Sequence, residues 1–308
     1  MSQGNSDDAE VDKQSVRISI LNKYLLILDV EHGMLHPRVD EFWSQIPDDD
    51  VSHASIMAAA TEAWLQEFAS YASQFQLTHA AGIRLFSDAS STIAAQVIQT
   101  VDRIRKRLAE VLWQAFEVKY DLTCADTVLL FSRHEDYISY YSHYLSEGEF
   151  ASSGGVCIRN HISPHIVLPY LHWAVDQTLT HEFAHIGISP IPLPLWLEEG
   201  VVQVIESMLV PSASALQYNV ADLIETKRYW RSRPLQSFWS GEAFFDVDAQ
   251  EHAYRLSRVL VRTMLADQPR ELARLVKTAS YVDQGESAAQ VALNMSLDQL
   301  AGTFLGVC

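Results

Sequence analysis

The sequence predicts an α+β fold in which a small mixed sheet is followed by a mainly helical C-terminal part. From residue 82 to residue 168, segments with strand character alternate with helical segments, whereas helical periodicity dominates after residue 175. The chain has 308 residues, of which 48% are apolar. It can therefore bury a substantial core, either as one large domain or as two smaller ones.

The N-terminal quarter is expected to form an accessory region. Residues 1–15 are polar and acidic, which indicates a disordered tail. Residues 16–21 and 24–28 both have strand character and predict a hairpin. A helix with one apolar side follows over residues 54–75. We therefore divide the chain into the tail at 1–15, an accessory hairpin and helix at 16–79, and a main domain at 80–308.

The main domain is predicted to begin with alternating strands and helices. Strands are expected at 83–86, 127–132, 156–159 and 165–168, with a long helix at 91–119. A short helix before the third strand carries a stripe of tyrosines, namely Tyr137, Tyr140, Tyr141 and Tyr144. Such a stripe is more typical of core packing than of a binding surface. A last amphipathic segment at 287–305 would close the helical part.

The most informative motif is His181-Glu182-Phe183-Ala184-His185. Histidines four apart on a helix lie on one face and can bind a single metal ion, while Glu182 can serve as a base. Another side of this helix is apolar and would face the core, through Leu179, Phe183 and Ile186. Gly187 stands where a helix would stop, and the link that follows is interrupted by Pro190, Pro192 and Pro194.

A second helix, expected from Pro194, offers a third protein ligand. Catalytic zinc sites use three protein ligands and keep a fourth position open for water. Glu198 and Glu199 both qualify chemically, but they lie about 100° apart on a helix, so only one can face the ion. Glu198 lies on the apolar side, whereas Glu199 is followed on its own side by Gln203 and Glu206. Periodicity favours Glu199 and leaves Glu198 as the alternative.

The two motifs, H-E-F-A-H at 181–185 and P-L-W-L-E-E-G at 194–200, resemble those of the gluzincin metallopeptidases, which include thermolysin-like enzymes and aminopeptidase N. The two motifs and the short, proline-containing link between them are most similar to those of bacterial proteins described as peptidase MA-like. The resemblance covers roughly residues 80–305 and is strongest at the motifs. The chain lacks the G-A-M-E-N exopeptidase signature of aminopeptidase N, so specificity for terminal residues is not implied.

This resemblance implies a thermolysin-like core, with the small sheet beside the HExxH helix, a mainly helical C-terminal lobe and an active cleft between the two lobes. His181, His185 and Glu199 would be the ligands of a zinc ion, and Glu182 would be the catalytic base. Zinc held by two imidazoles and one carboxylate acidifies a water and polarises a carbonyl. Glu182 could take the water's proton and pass it to the departing amine. The implied substrate is a peptide or a protein.

The tetrahedral oxyanion of such a reaction needs a further hydrogen-bond donor. A predicted helix around residues 251–260 supplies two candidates near its start, Tyr254 as the first choice and His252 as the second. The alternative for Tyr254 is a packing aromatic with its hydroxyl at the surface.

A pair of glycines precedes the third predicted strand of the main domain. Gly154 and Gly155, followed by Val156, indicate a close backbone approach or a bulge. In gluzincins an edge strand beside the zinc helix binds the substrate backbone as an added strand. We therefore expect Gly154, Gly155 and Val156 to bind substrate, with an ordinary internal strand and hairpin turn as the alternative.

Composition limits the partners and the location. A net charge of −17 argues against nucleic acid or an anionic membrane as the main partner. The local run of Arg103, Arg105, Lys106 and Arg107 fits a solvated helix face. Three cysteines form neither a zinc ribbon nor a disulfide framework. With no apolar signal core or membrane-length run in the sequence, a cytoplasmic location is expected.

Two classes of function follow from these motifs. The first is a zinc-dependent peptidase, and the second is a non-catalytic binding or regulatory protein that retains zinc for structure or by descent. A structural zinc site usually closes its fourth position with another Cys or His and has no need of Glu182. The sequence therefore favours the enzyme. A chain that binds no metal at all is the third alternative.

Overall fold

The structure, a computed structural model, describes residues 15–47, 51–123, 125–144, 154–170, 175–210 and 220–306. Within these ranges it contains two small sheets and is otherwise mainly helical, which confirms the α+β prediction. The predicted disordered tail lies outside the described residues, except for Ser15 at its end, which begins the first strand. In the described part of the chain, no helix is both long enough and apolar enough to cross a membrane.

The first sheet is antiparallel and has the order β1-β2-β3. Its strands are β1 (Ser15–Ile20), β2 (Tyr24–Glu31) and β3 (Met34–Pro37). The predicted hairpin is confirmed, because β1 and β2 pair from Ile20 opposite Tyr24 outward. The sequence did not predict β3. Two helices follow this sheet, α1 (Val39–Trp43) and α2 (His53–Tyr71).

The second sheet is mixed and has the order β4-β5-β6-β8-β7. Its strands are β4 (Gln76–Ala80), β5 (Ile83–Ser87), β6 (Asp126–Phe131), β7 (Val156–Ile158) and β8 (His165–Pro169). The central strands β5, β6 and β8 are parallel, and the edge strands β4 and β7 are antiparallel to their neighbours. The boundary drawn between residues 79 and 80 falls inside β4, and the division into domains remains a prediction.

Alternation along the second sheet divides its buried side chains between two cores. The first core lies towards the helices that follow the sheet and includes Leu85, Val128, Leu130, Ile166 and Leu168. The second core lies towards the first sheet and α2, and includes Phe86, Leu129, Phe131 and Val167. Because side chains of a strand alternate between faces, both faces of the sheet are covered by protein.

The helix between β5 and β6 corrects one prediction, and the helix between β6 and β7 confirms another. Helix α4 (His134–Tyr141) buries Tyr137, Tyr140 and Tyr141 in the second core, as the tyrosine stripe predicts. Helix α3 (Ser91–Phe116) does not present its whole basic run to solvent. Arg105 is 2% exposed and forms an ion pair with Asp126 of β6, so it is a structural residue of the core.

The remaining described elements are helical. They are α5 (Val175–Ile188), α6 (Leu195–Leu209), α7 (Val220–Arg231), α8 (Gln236–Trp239), α9 (Gln250–Asp267), α10 (Pro269–Thr278), α11 (Glu286–Leu293) and α12 (Leu297–Leu305). The single segment predicted at 287–305 is two helices, because Ser296 starts α12 with a capping box.

Helix α5 ends at Ile188, one residue after Gly187, where the sequence predicts the stop. Gly187 also serves tertiary packing, because a Cβ at this position would lie 2.7 Å from Cδ1 of Leu112 in α3. Glycine at this position allows α5 to approach α3 closely. The helix that carries the histidine motif is thereby fixed against the first core.

Candidate metal centre

Helices α5 and α6 bring together the two histidines of the motif and one glutamate. His181 and His185 lie on one face of α5, with ring centroids 5.0 Å apart. Nε2 of His185 is 3.6 Å from Glu199 Oε1, and Nε2 of His181 is 4.0 Å from Glu199 Oε2. One ligand atom from each of the three residues can be chosen so that all lie within 4.8 Å of one another. These three residues could hold a metal ion.

The environment of Glu199 fits a cation. Its carboxylate is buried, and Oε2 has no hydrogen-bond partner within the described part of the chain. Burial, together with the charges of Glu182 and Glu206, raises the pKa of Glu199 to about 7 against the opposing charges of His181 and Arg159. A buried carboxylate without a partner is costly. A cation shared with two imidazoles would remove that cost.

His181 is oriented by a second glutamate of α6. Its Nδ1 lies 2.9 Å from Glu206 Oε2, and the amide of Gln177 donates to Glu206 Oε1 at 2.8 Å. Burial alone would lower the pKa of His181, but the hydrogen bond to Glu206 and the charges of Glu182 and Glu199 raise it to about 9. With Nδ1 donating to Glu206, Nε2 is the nitrogen that can bind a metal.

His185 is oriented in the same way by the other candidate glutamate. Its Nδ1 lies 2.7 Å from Glu198 Oε1, so Glu198 contacts the side of the ring that faces away from Glu199. Burial, then the charges of His181 and Arg159, lower the pKa of His185. The structure thus assigns Glu199 to the ligand group and gives Glu198 the task of orienting His185. A carboxylate on the second nitrogen is typical of metal-binding histidines.

Glu182 lines the same cleft without belonging to the ligand group. The backbone N–H of Cys157 in β7 donates to its carboxylate. Burial raises the pKa of Glu182 above its ordinary value, although the charge of His181 and this hydrogen bond oppose the shift. A carboxylate with a raised pKa beside a cleft can both accept and return a proton.

Of the two oxyanion candidates, the structure brings one to the cleft. Tyr254 lines the cleft, which has a volume of about 510 Å³. Burial raises the pKa of its phenol, and the charges of Glu199 and Glu182 raise it further. His252 is not among the residues that line the cleft, because its ring stacks on Tyr229 at 4.2 Å instead. Residues two apart on a helix point about 200° apart, so α9 can direct only one of them inward.

The glycine pair and Val156 also border the cleft. Strand β7 is an edge of the second sheet, in contact with α5. A Cβ at Gly155 would lie 2.6 Å from Cγ2 of Thr178, and one at Gly154 would lie 2.8 Å from Oγ1 of Thr178. The pair therefore provides the close backbone approach that the sequence predicts. Its use in binding substrate remains a prediction.

The sequence-based assignment missed the side chains that orient the two histidines. Glu206 orients His181, and its position seven residues after Glu199, on the polar side of α6, is a signal that could have identified it. Glu198 was considered only as a ligand. Arg159 contacts both Glu198 and His185 from the end of β7, and nothing in its own sequence neighbourhood indicates this.

Comparison with protein-family models finds no match, and comparison with curated proteins finds no significant one. The resemblance to gluzincins therefore rests on the two sequence motifs.

Proposed function

We propose that this protein is a zinc-dependent metallopeptidase of the gluzincin type, with a thermolysin-like core. One observation carries the proposal. The Nε2 atoms of His181 and His185 and the carboxylate of Glu199 converge, while Glu182, next in sequence to one ligand, stays outside the ligand group at the same cleft. A set of two histidines and one glutamate suits zinc, and three protein ligands are typical of catalytic rather than structural sites.

When bound, zinc would supply a Lewis acid that polarises the substrate carbonyl and acidifies the attacking water. Glu182 would take the proton from this water on its carboxylate and transfer it to the nitrogen of the departing amine. Its buried position and the raised pKa of its carboxyl support this exchange, because burial makes the carboxylate a better proton acceptor. The hydroxyl of Tyr254 would donate a hydrogen bond to the oxyanion.

The substrate would be a peptide lying along β7. This strand forms one edge of the second sheet, and Gly154, Gly155 and Val156 border the cleft beside α5. An extended peptide can add to such an edge through main-chain hydrogen bonds. The backbone N–H of Cys157, which donates to Glu182, marks the point where the edge and the proposed base meet.

The test is zinc-dependent cleavage of a peptide library by the protein and by Glu182→Gln. We expect the variant to keep stoichiometric zinc and to lose about 100-fold or more in kcat, because the proton transfer is lost. Asp176→Asn, at the exposed start of the same helix, is the matched control and should cleave like the unaltered protein. A folded, zinc-loaded protein that cleaves no peptide would contradict the proposal and favour a non-catalytic zinc protein.

A further inference from the structure

Arg159 follows directly after β7 and forms an ion pair with Glu198, the glutamate that orients His185. Its Nη1 donates to Glu198 Oε2 at 3.1 Å, and its Nη2 donates to Glu198 Oε1. The same Nη2 lies 3.0 Å from His185 Nδ1. When Nε2 of His185 is free to bind a metal, Nδ1 carries the proton, so the guanidinium and Nδ1–H both donate to Oε1 of Glu198.

A bidentate pair of this kind fixes the plane of the carboxylate as well as its position. Glu198 Oε1 is the acceptor that sets the orientation of His185, so the guanidinium acts on the imidazole through the carboxylate. His181 has a different support, since Glu206 is held by the neutral amide of Gln177. Arg159 is thus the cationic support of one of the two histidines.

The charges of the site call for such a cation. Glu182 and Glu199, 7% and 5% exposed, line the cleft, and Glu198, 7% exposed, contacts His185 beside it. Buried carboxylates close to one another repel unless positive charge lies beside them. The side chain of Arg159 is 38% exposed, so its guanidinium reaches this group from the mouth of the cleft.

The backbone of Arg159 is itself held by the second core. The N–H of His161 donates to the carbonyl of Arg159 at 2.9 Å. The ring of His161 lies 4.4 Å from that of Trp64 in α2, and its Nε2 lies 3.2 Å from the hydroxyl of Tyr144. The segment between β7 and β8 therefore touches the metal centre at one residue and the N-terminal core two residues later.

We propose that Arg159 is a positioning residue that ties the end of β7 to His185 through Glu198, so that the geometry of the metal centre depends on the placement of this edge strand. The proposal rests on the metal-binding part of the proposed function and not on peptide cleavage.

The experiment measures cobalt(II) binding to the full-length protein by competition with a chelator, together with the visible absorption spectrum of the bound ion. We expect Arg159→Gln to weaken cobalt affinity about 10- to 100-fold and to alter the spectrum, because His185 loses its fixed orientation. Arg159→Lys keeps the positive charge but cannot form the bidentate pair with Glu198. Its cobalt affinity should therefore lie between that of Arg159→Gln and that of the unaltered protein. Arg103→Gln removes an exposed ion pair to the start of α5 and should leave both readouts unchanged.

A double-mutant cycle separates this role from a general structural one. If Arg159 acts through Glu198, the double variant with Arg159→Gln and Glu198→Gln should bind cobalt about as weakly as Glu198→Gln alone. If Arg159→Gln has the cobalt affinity and the spectrum of the unaltered protein, the proposal is overturned. It is also overturned if the fold-loss of cobalt affinity in the double variant equals the product of the fold-losses in the two single variants. Should Arg159→Gln not fold, Arg159→Lys with a wild-type spectrum and affinity would overturn it equally. Because no peptide is used, failure of the peptidase assay leaves this test intact.

Discussion

The carboxylate of Glu206 and Nδ1 of His181 lie 2.9 Å apart, joining α6 to α5 on the side of the imidazole that faces away from Glu199. Helices α5 and α6 together set the position and the orientation of His181. Helix α5 supplies the ring, and α6 supplies both the neighbouring ligand and the acceptor that orients the ring. The metal affinity of this site should depend on Glu206 although Glu206 is not in the ligand group.

We expect Glu206→Ala to weaken zinc binding about 10- to 100-fold while the fold is retained, because His181 loses the acceptor that fixes its ring. Competition with a chelator measures the affinity, and circular dichroism checks the fold. Zinc affinity equal to that of the unaltered protein would show that packing alone orients His181.

Replacing Tyr254 with Phe should lower kcat about 100-fold or more without changing zinc content, because a donor to the oxyanion is removed from a cleft that is otherwise intact. The ring should stay in place, since Tyr254 packs edge-on against Phe244 at 5.1 Å. His252→Ala is the comparison, and its turnover should be unchanged because its ring stacks on Tyr229 instead of lining the cleft. Equal turnover in Tyr254→Phe would remove this hydroxyl from the mechanism.

Gly200→Ala should destabilise the protein by about 1–3 kcal/mol, because overpacking forces helices apart. A Cβ at this position would lie 2.5 Å from Cγ2 of Val261 and 2.7 Å from the carbonyl oxygen of Ser257 in α9. Urea unfolding measures the change, and zinc affinity should fall with it because Glu199 is the preceding residue. Met208→Ala, at an exposed position of the same helix, is the control for which a small change is expected. Unchanged stability in Gly200→Ala would show that α6 and α9 separate at little cost.

Acid should destabilise the metal-free protein in part through His36. Burial, then the charge of His143, lowers the pKa of His36 from 6.5 to about 3. Between these values the unfolded chain binds a proton that the folded one does not, so the free energy of unfolding falls as the pH drops below 6.5. From pH 7.5 to pH 5.0, His36 should account for about 2 kcal/mol of this loss.

His36→Phe tests this assignment. Urea unfolding of the chelated protein at the two pH values should show a smaller loss of stability in the variant than in the unaltered chain. An equal loss in both would assign the acid sensitivity to other groups.

Strands whose own sequence alternates or forms a continuous apolar run were predicted to within a residue or so at most ends, whereas β3 and β4 were not predicted. Strand β3 has only four residues and includes His36 and Pro37, so its sequence has neither an alternating pattern nor a continuous apolar run. Strand β4 is a polar edge strand with no buried residue, and its pairing with β5 is what makes it a strand. In both cases the cause lies in a neighbouring strand, which local patterns do not encode.

The same distinction applies to the site. The approach of His181 to His185 depends on the helical repeat alone. Periodicity favours Glu199 over Glu198 on the next helix, but the packing of α6 against α5 is what brings its carboxylate to the two histidines. The choice between Tyr254 and His252 required the rotation of α9, which only packing determines. Arg159 belongs to another layer of the fold, and its contact with Glu198 depends on how a strand end meets a helix.

Because protein covers both faces of the second sheet, a functional fragment of this chain must include the elements on both sides of that sheet. A fragment of residues 80–308 would keep every proposed metal ligand. It would expose the side chains of Phe86 and Phe131, which pack against the N-terminal elements in the full chain. It would also cut into β4 and remove Trp64, on which His161 packs. Such a fragment would be prone to aggregate, and any screen or expression strategy should therefore keep the N-terminal layer with the layer that carries the candidate metal centre.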